Sequence, residues 1–528
     1  DGMRQHLAAE FDEVWIVDLG GNVRKNPKLS GTTHNVFGIQ VGVAIAFLVR
    51  TRGKGIRPRK GHATIRYAEA GADWKRQRKY DWLEGAKNLD GLEWRVLSPN
   101  RKNRWLVSDT EAEFEGFPPL CSKAEKASAA ENETTILDEY SRGLETTRDV
   151  WVYGFDRDQL AARVEQFVDT YNAAVVKWRR KGGKSKRVED VVTHDDEKIK
   201  WSSSLKSSLK AGAEADFEEG NIRRAMYRPF VKKWVYFDEM LNHRPGRWNE
   251  YYPDPDDENR VIWLKVGSAW PMFALMVDQV ADVLPQGGSQ CLPFYLYRED
   301  GTREENLTDW ALAELQQRYP RLEAGHRVSG ALGPRGVRLL DKGEMPIEPD
   351  SRIAKWDVFY YVYAVLHHPE YRERYAEDLK RSLPRIPFAP EFWPFAEASR
   401  ALAALHVGYE AADPYPLALA HAEGTPLTYR VEKMRLDEAA GTLRLNDSLT
   451  LTGIPEAAHR YRLGNRSALG WLVDQLRVKT DKRSGITHDP NASFAGDALV
   501  DLVRRVTTVS VETVRLVEAL PPLGLPTS

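Results

Sequence analysis

Apolar and polar positions divide the chain into segments of different texture. Between residues 11 and 68, short runs rich in Val and Ile stand between Gly, Pro and Asn: VWIV (14–17), VGVAIAFLV (41–49) and ATIRYA (63–68). Such runs predict strands. The middle run is apolar almost throughout, which predicts a strand buried on both faces. From about Lys75 the segments EWRVLSP, RWLVSD and DVWVYGFD alternate with loops and predict further short strands. A helix is predicted over Arg157 to Lys181, because Leu160, Val164, Phe167, Val168, Tyr171 and Val175 recur at spacings of three and four. Helices are also predicted over 306–320, 355–384 and 498–520, the last with a stripe of Leu499, Leu502, Val503, Val506, Val509 and Leu516. Residues 441–453 alternate around Asn446-Asp447, a hairpin signal. Residues 321–350 carry several Gly and Pro and read as a linker or extended loop, and no repeat of fixed period is present.

A chain of 528 residues is too long for one core and predicts more than one domain. The formal net charge is −1, so attraction to a polyanion has to come from local patches. Cys121 and Cys291 are the only cysteines; they allow one bridge at most and no cysteine-based zinc site. No apolar run approaches the ~20 residues that span a bilayer, and DGMRQHLAAEFDEV lacks signal-peptide architecture, so a cytoplasmic location away from membranes is expected. The absence of an initial Met suggests a fragment or a processed chain.

Several patterns bear on chemistry. Val14–Val17 runs into Asp18-Leu19-Gly20-Gly21 as strands run into cofactor loops. A dinucleotide fingerprint needs a third glycine and a following helix, and here Pro27 interrupts, so a tight turn is the better reading. The Pro-Pro pairs in FPPL (117–120) and LPPL (520–523) lack the polar residue before and the aromatic after that an amino-methyltransferase tetrad requires. His367-His368 point to different helix faces and make a poor metal pair, and HDDE (194–197) reads as a solvated acidic turn. YYPDPDDENRVIWLKV lacks the Glu-x-Lys element of a nuclease pattern. No metal site and no catalytic set is assigned.

Basic clusters are the stronger signal: RTRGKGIRPRK (50–60), KRQRK (75–79), RKNR (101–104) and KWRRKGGKSKR (177–187), with Trp74, Trp82, Trp105 and Trp178 close by. In a nearly neutral chain this clustering suits phosphate contacts. Arg50, Arg52, Lys54, Lys75, Arg76, Arg101, Lys102, Arg179 and Arg180 are therefore candidate DNA contacts.

Long segments also resemble, in order, the C-terminal part of type ISP restriction–modification enzymes and their adenine-N6 methyltransferase relatives. The stretch FDEVWIVDLGGNVRKNPKLSGTTHNVFGIQVGVAIAFLVR resembles the end of the methyltransferase domain. YRPFVKKWVYFDEMLNHRPG, CLPFYLY, KWDVFYYVYAVLHHPEYRERYAEDLKRSLPRIPFAPEFWPFAEA and LTGIPEAAHRYRLGNRSALGWLVDQLRVKTDKRSGITHDPN resemble its specificity region. The resemblance implies an α/β remnant of a Rossmann-like methyltransferase sheet, followed by a mixed α+β target-recognition domain with a helical C-terminal part. The implied divisions are 1–70 (end of the methyltransferase domain), 71–320 (target recognition), 321–350 (linker) and 351–528 (C-terminal specificity region with helices and a hairpin).

The implied function is sequence-specific recognition of double-stranded DNA in a phage-defence system. The S-adenosylmethionine site and catalytic tetrad are implied to lie upstream of Asp1, and full-length members carry nuclease and helicase-like parts further upstream. This chain alone is then expected to be catalytically inactive and to hold no cofactor. Phe47, the aromatic of the late methyltransferase strand, becomes a candidate wall for the flipped adenine, beside a structural role in that strand. Arg24, Lys25 and Lys28 precede that strand and join the candidate DNA contacts, as does Arg148 in the retained Thr147-Arg148-Asp149. The alternative from another class is a protein-interaction scaffold, docking a motor or partner subunit through the aromatic-rich helix at 355–384 and the last helix. A complete small enzyme with an unrecognised site is the third reading.

Overall fold

A computed structural model of the chain describes residues 2–22, 33–50, 63–71, 73–100, 103–121, 134–180, 187–267, 270–285, 287–319 and 352–526. Two compact units result: Asp1–Gly116 with Ser268–Trp270, and the remainder from Phe117 to Ser528. The division between the compact units falls after residue 116. Segments of the expected regions 71–320 and 351–528 share one continuous core, which runs from Leu144 to Val514. The expected linker at 321–350 lies outside the described residues.

The first unit is built on a sheet with strand order β2-β1-β3-β4, formed by β1 (Glu13–Gly20), β2 (Val43–Val49), β3 (Thr64–Glu69) and β4 (Arg95–Leu97). β1 pairs parallel with β3 and antiparallel with β2, where Trp15 stands opposite Phe47. The expectation that β2 is buried on both faces is corrected. It lies at the sheet edge, with Ile45, Phe47, Leu48 and Val49 all exposed. An apolar run specifies a strand but not how many neighbours cover it.

After β1 the chain turns as expected. Asp18 Oδ1 accepts from Gly20 N at 2.8 Å, and Gly20 and Gly21 both adopt positive φ. A Cβ on Gly21 would stand 2.7 Å from the carbonyl oxygen of His34, so only glycine fits.

The second unit layers helices over small sheets. One sheet joins Phe273–Val277, Val261–Lys265, Ser289–Pro293 and Ser141–Arg142; another joins Val280–Ala281, Ile222–Arg228, Val231–Tyr236 and Tyr153–Gly154. Helix Arg157–Arg180 buries the predicted stripe and adds Ala174 and Trp178. Helix Ala498–Glu518 buries its predicted stripe as well. The Asn446-Asp447 hairpin forms between Thr442–Arg444 and Leu449–Thr452. Two strand expectations fail: RWLVSD forms no strand, and Asp149–Val152 coils into a short helix before the two-residue strand Tyr153–Gly154. The 355–384 helix breaks at Pro369, which removes a backbone donor, giving Lys355–His367 and then shorter pieces.

Every residue from Asp357 to His367 is buried. A helix buried on all sides has no free face for a partner, so it cannot serve as the scaffold's docking surface. Its neighbour is helix Trp393–Val407. Between them Tyr363 Oη accepts from Met276 N at 2.7 Å and donates to His406 Nδ1 at 2.5 Å, while His406 Nε2 donates to Thr513 Oγ1 at 3.0 Å. The neighbouring histidines diverge, as their spacing predicts. His367 Nδ1 donates to the Tyr363 carbonyl at 2.8 Å, and His368 reaches the Pro521 carbonyl at 3.1 Å. Cys121 and Cys291 are both buried and unbridged.

Burial holds His367 down at about 4 and His406 well below its usual range. A base depressed on folding contributes stability that is full above its unfolded value, near 6.5, and is lost as pH falls toward 4. Thermal melts are expected to fall in temperature over that window, and H367M should flatten the profile. A profile that the substitution leaves unchanged would remove His367 as a cause.

Candidate nucleic-acid interface

Among the described candidates, Arg50, Lys75 and Arg76 belong to the first unit and Arg148, Arg179 and Arg180 to the second. Arg50, Lys75, Arg76, Arg179 and Arg180 are exposed. Arg76 Nε nevertheless donates to the Asn35 carbonyl at 3.0 Å. Arg179 is spent on Glu214 and on the Gly212 carbonyl, the latter at 2.7 Å. Arg24, Lys25, Lys28, Arg52, Lys54, Arg101 and Lys102 lie outside the described residues. Phe47 is 41% exposed on the edge strand β2.

Arg148 is a correction. It is 1% exposed, bonded to the Leu241 carbonyl and donating through Nη2 to Ser202 Oγ at 2.5 Å. Burial pulls its guanidinium down to about 10. A side chain enclosed in this way ties the start of the second unit to the loop before Asn242 and presents no exposed surface.

The structure does converge elsewhere, on a buried polar centre beside a cavity. Arg228 Nη1 meets Asp282 Oδ1 at 2.8 Å, and its Nη2 lies 3.9 Å from Asp149 Oδ2. Tyr227 Oη donates to Asp149 Oδ2 at 3.2 Å, and Thr146 Oγ1 caps the other carboxylate oxygen. Burial pushes Asp282 up to about 6 against the pull of Arg228. Arg163 is spent on the carbonyls of Trp151 and Tyr153, at 3.0 and 2.7 Å.

Lys233 stands next to this centre and is 6% exposed. Its ammonium lies 4.0 Å from the Tyr227 ring centroid and 4.6 Å from that of Phe155. Among the described residues it has no hydrogen-bond or ion-pair partner. Burial, then Arg228, drives it down to about 7, with Asp149 and Asp282 opposing and Arg163 adding to the fall.

Lys233 lines a cavity of about 120 Å³ together with Asp149, Tyr227, Arg477, Lys479 and His488. Lys479 and His488 belong to a basic hairpin, Lys479–Thr480 paired with Thr487–His488, and Arg477 lies two residues before it. Asp481 holds its turn, accepting from Arg483 N at 3.1 Å and from Ser484 N at 2.9 Å. Arg477, Lys479, Lys482 and Arg483 carry no side-chain bond among the described residues, and each is at least partly exposed. Other arginines of the second unit are spent: Arg430 on Glu432 and Asp489, Arg444 on Asp447, Arg460 on Glu518.

Residues 135–499 match the model of the type ISP C-terminal specificity domain. The chain belongs to that family. Three solved structures resemble the chain along nearly all its length. A nuclease-deletion mutant of the type ISP restriction–modification enzyme LlaGI, in complex with a DNA substrate mimic, is 29% identical with a TM-score of 0.79, over 100% of this chain and 45% of that one. The ATP-dependent type ISP enzyme LlaBIII bound to DNA is 27% identical with a TM-score of 0.79, over 99% and 32%. The DrdV–DNA complex is 32% identical with a TM-score of 0.78, over 98% and 49%. This chain thus spans half or less of the length of each. No curated protein matches it.

Both the polar centre and the basic hairpin fall inside the specificity-domain match. Sequence reading missed Lys233, although a signal was present. In Val231–Tyr236 the period of two places Lys233 on the same inward face as the buried Val231 and Val235. The hairpin was also legible as RVKTDKRSGITH, basic residues around Ser-Gly, but its free cations were not. HDDE behaves as the expected solvated turn: Asp195 accepts from Glu197 N and pairs with Lys198. Among the described residues no cluster of His, Cys, Asp and Glu is suited to a metal ion, and no helix is long and apolar enough to cross a membrane.

Two substitutions separate these roles. R148A is expected to cost about 3 kcal/mol of unfolding free energy, because two buried carbonyl and hydroxyl acceptors lose their donor. K233M is expected to act in the opposite direction at pH 7. A lysine depressed on folding contributes stability only as pH rises from about 7 toward its ordinary 10.5, so at neutral pH its burial is a cost. Denaturant titrations at pH 7 and pH 9.5 check both. A destabilised K233M at pH 7 would contradict the assignment of Lys233 as a surplus buried cation.

Proposed function

We propose that this chain recognises a specific DNA sequence as the C-terminal portion of an adenine-N6 DNA methyltransferase in a type ISP-like restriction–modification system active in phage defence. The observation that carries the reading is the agreement, over essentially the whole chain, with enzymes of this type held on DNA. The family match places the specificity domain over most of the same residues.

In this reading the second unit supplies base-edge contacts that select the site, while exposed cations hold the phosphates. The hairpin with Arg477, Lys479, Lys482 and Arg483 supports that division, since a set of unspent cations in a nearly neutral chain needs an anionic partner. The first unit is then the end of a Rossmann-like methyltransferase sheet, continued by residues outside this chain. The exposed apolar edge of β2 supports this, and in this reading Phe47 on it walls the pocket of the flipped adenine. S-adenosylmethionine, like any motor or nuclease activity, belongs to the larger enzyme, which works in the cytoplasm.

The test is selection of bound duplexes from a random-sequence library by the 528-residue chain, followed by sequencing. One enriched motif is expected, with affinity that falls steeply as salt rises. Titration of S-adenosylmethionine into the same chain is expected to give no binding heat. Binding that is absent at all salt concentrations would remove the DNA-reading role and leave a scaffold to be argued from other surfaces.

A further inference from the structure

We propose that the cavity walled by Lys233, Arg477 and Lys479 is a phosphate subsite that takes one phosphodiester group of a DNA strand. The inference rests on the DNA-recognition reading above and names a place where that reading touches the backbone. It follows from the balance of donors and acceptors around the cavity.

The three carboxylates in the wall are already satisfied. Asp149 accepts from Thr146 and from Tyr227, the latter at 3.2 Å. Asp474 accepts from Gln475 Nε2 at 2.6 Å and lies 3.6 Å from Arg466. Asp481 accepts from the amides of Arg483 and Ser484 and, at 3.0 Å, from Ser484 Oγ. The three cations in the same wall, Lys233, Arg477 and Lys479, have no acceptor among the described residues. What is missing is a compact anion with several acceptor oxygens.

Size and shape favour phosphate over a base. A space of about 120 Å³ admits a tetrahedral phosphate. A nucleobase would need a free aromatic face, but the faces of Tyr227 and Phe155 are taken by the Lys233 ammonium. The depth profile suits a strand passing the mouth: Lys479 is exposed on the hairpin, Arg477 is half-buried, and Lys233 lies at the bottom. A desolvated ammonium is also the group that gains most from an arriving anion, since burial first, and then Arg228, has driven it down to about 7.

The test uses the whole chain, fluorescence anisotropy with labelled duplex DNA, and titration in salt. K233M and R477Q are each expected to weaken binding about tenfold and to reduce the salt slope by about 0.9, the value for one lost phosphate contact. The double variant should cost less than the sum of the two, because both cations hold the same group. R460Q, whose guanidinium is spent on Glu518 away from the cavity wall, is the control and should change neither quantity. Melting temperatures confirm that each variant is folded.

Full affinity and an unchanged slope in folded K233M and R477Q would overturn the subsite and leave DNA recognition standing. Should the wild-type chain bind no duplex, the DNA reading falls and with it the strand as the source of the phosphate. Inorganic phosphate that raises the melting temperature of the wild type but not of K233M would then assign the cavity to a free phosphate ester. No such shift would overturn the site altogether.

Discussion

The Arg228 guanidinium, held between Asp282 and Asp149, is the interaction on which the second unit's site depends. Strand Ile222–Arg228 carries the arginine, the segment after Val280–Ala281 carries Asp282, and the short helix Asp149–Val152 begins with the other carboxylate. One cation thus fixes three separate pieces of chain. Taking such groups out of water is expensive, and the pairing offsets that cost only while every partner stays in place. The centre therefore demands a single arrangement of these segments.

That arrangement has a consequence for charge. Two carboxylates act on Arg228 and Lys233, Arg163 adds its charge beside Lys233, and Asp282 is itself pushed toward neutrality by burial. Arg163 finds backbone carbonyls and Arg228 finds both carboxylates, which leaves the lysine without a counter-ion among the described residues. The aromatic faces of Tyr227 and Phe155 soften its isolation, and cation–π contact is worth roughly 1–2 kcal/mol at a desolvated site. That is less than the cost of burying an ammonium. A fold that keeps such a residue beside a cavity is giving up stability locally, which sites that bind a ligand commonly do.

Much of the architecture was legible in the pattern of residues. The helix stripes of 157–180 and 498–518, the Asn446-Asp447 hairpin and the glycine turn after β1 all follow from local chemistry, because each is decided within a few residues. Burial of β2 was not legible, since the number of neighbours a strand acquires is decided by distant segments. Asp149–Val152 reads as strand from its valines and tryptophan, but the amides of Trp151 and Val152 donate to the Arg148 carbonyl at 2.8 and 3.2 Å and close a helical turn there instead. Arg148 reads as a DNA contact because it stands in the retained Thr147-Arg148-Asp149; only the folded chain brings the Leu241 carbonyl and Ser202 around it. The candidate site was hidden for the same reason. Its members come from residues near 149, 228, 282 and 480, and no spacing in the sequence connects them.

The basic hairpin shows how a short element is made firm enough to present cations. Its strands are only two residues each and would not hold alone. Support comes from its base, where Asn491 both accepts from Val431 N and donates to the Val431 carbonyl at 2.8 Å, and where Val478 N donates to the Glu432 carbonyl at 3.0 Å. Arg430 adds an ion pair to Asp489 at 2.9 Å. Charged side chains thus divide into two groups by use. Arg430, Arg444 and Arg460 are neutralised within the fold and brace its loops, whereas Arg477, Lys479, Lys482 and Arg483 are left unspent on the element that is braced. A bare set of like charges costs the folded chain a little through self-repulsion, and rigid support keeps them from spreading apart to relieve it. The repulsion is relieved when an anion arrives, so the energy stored in holding these cations together becomes part of the driving force for binding.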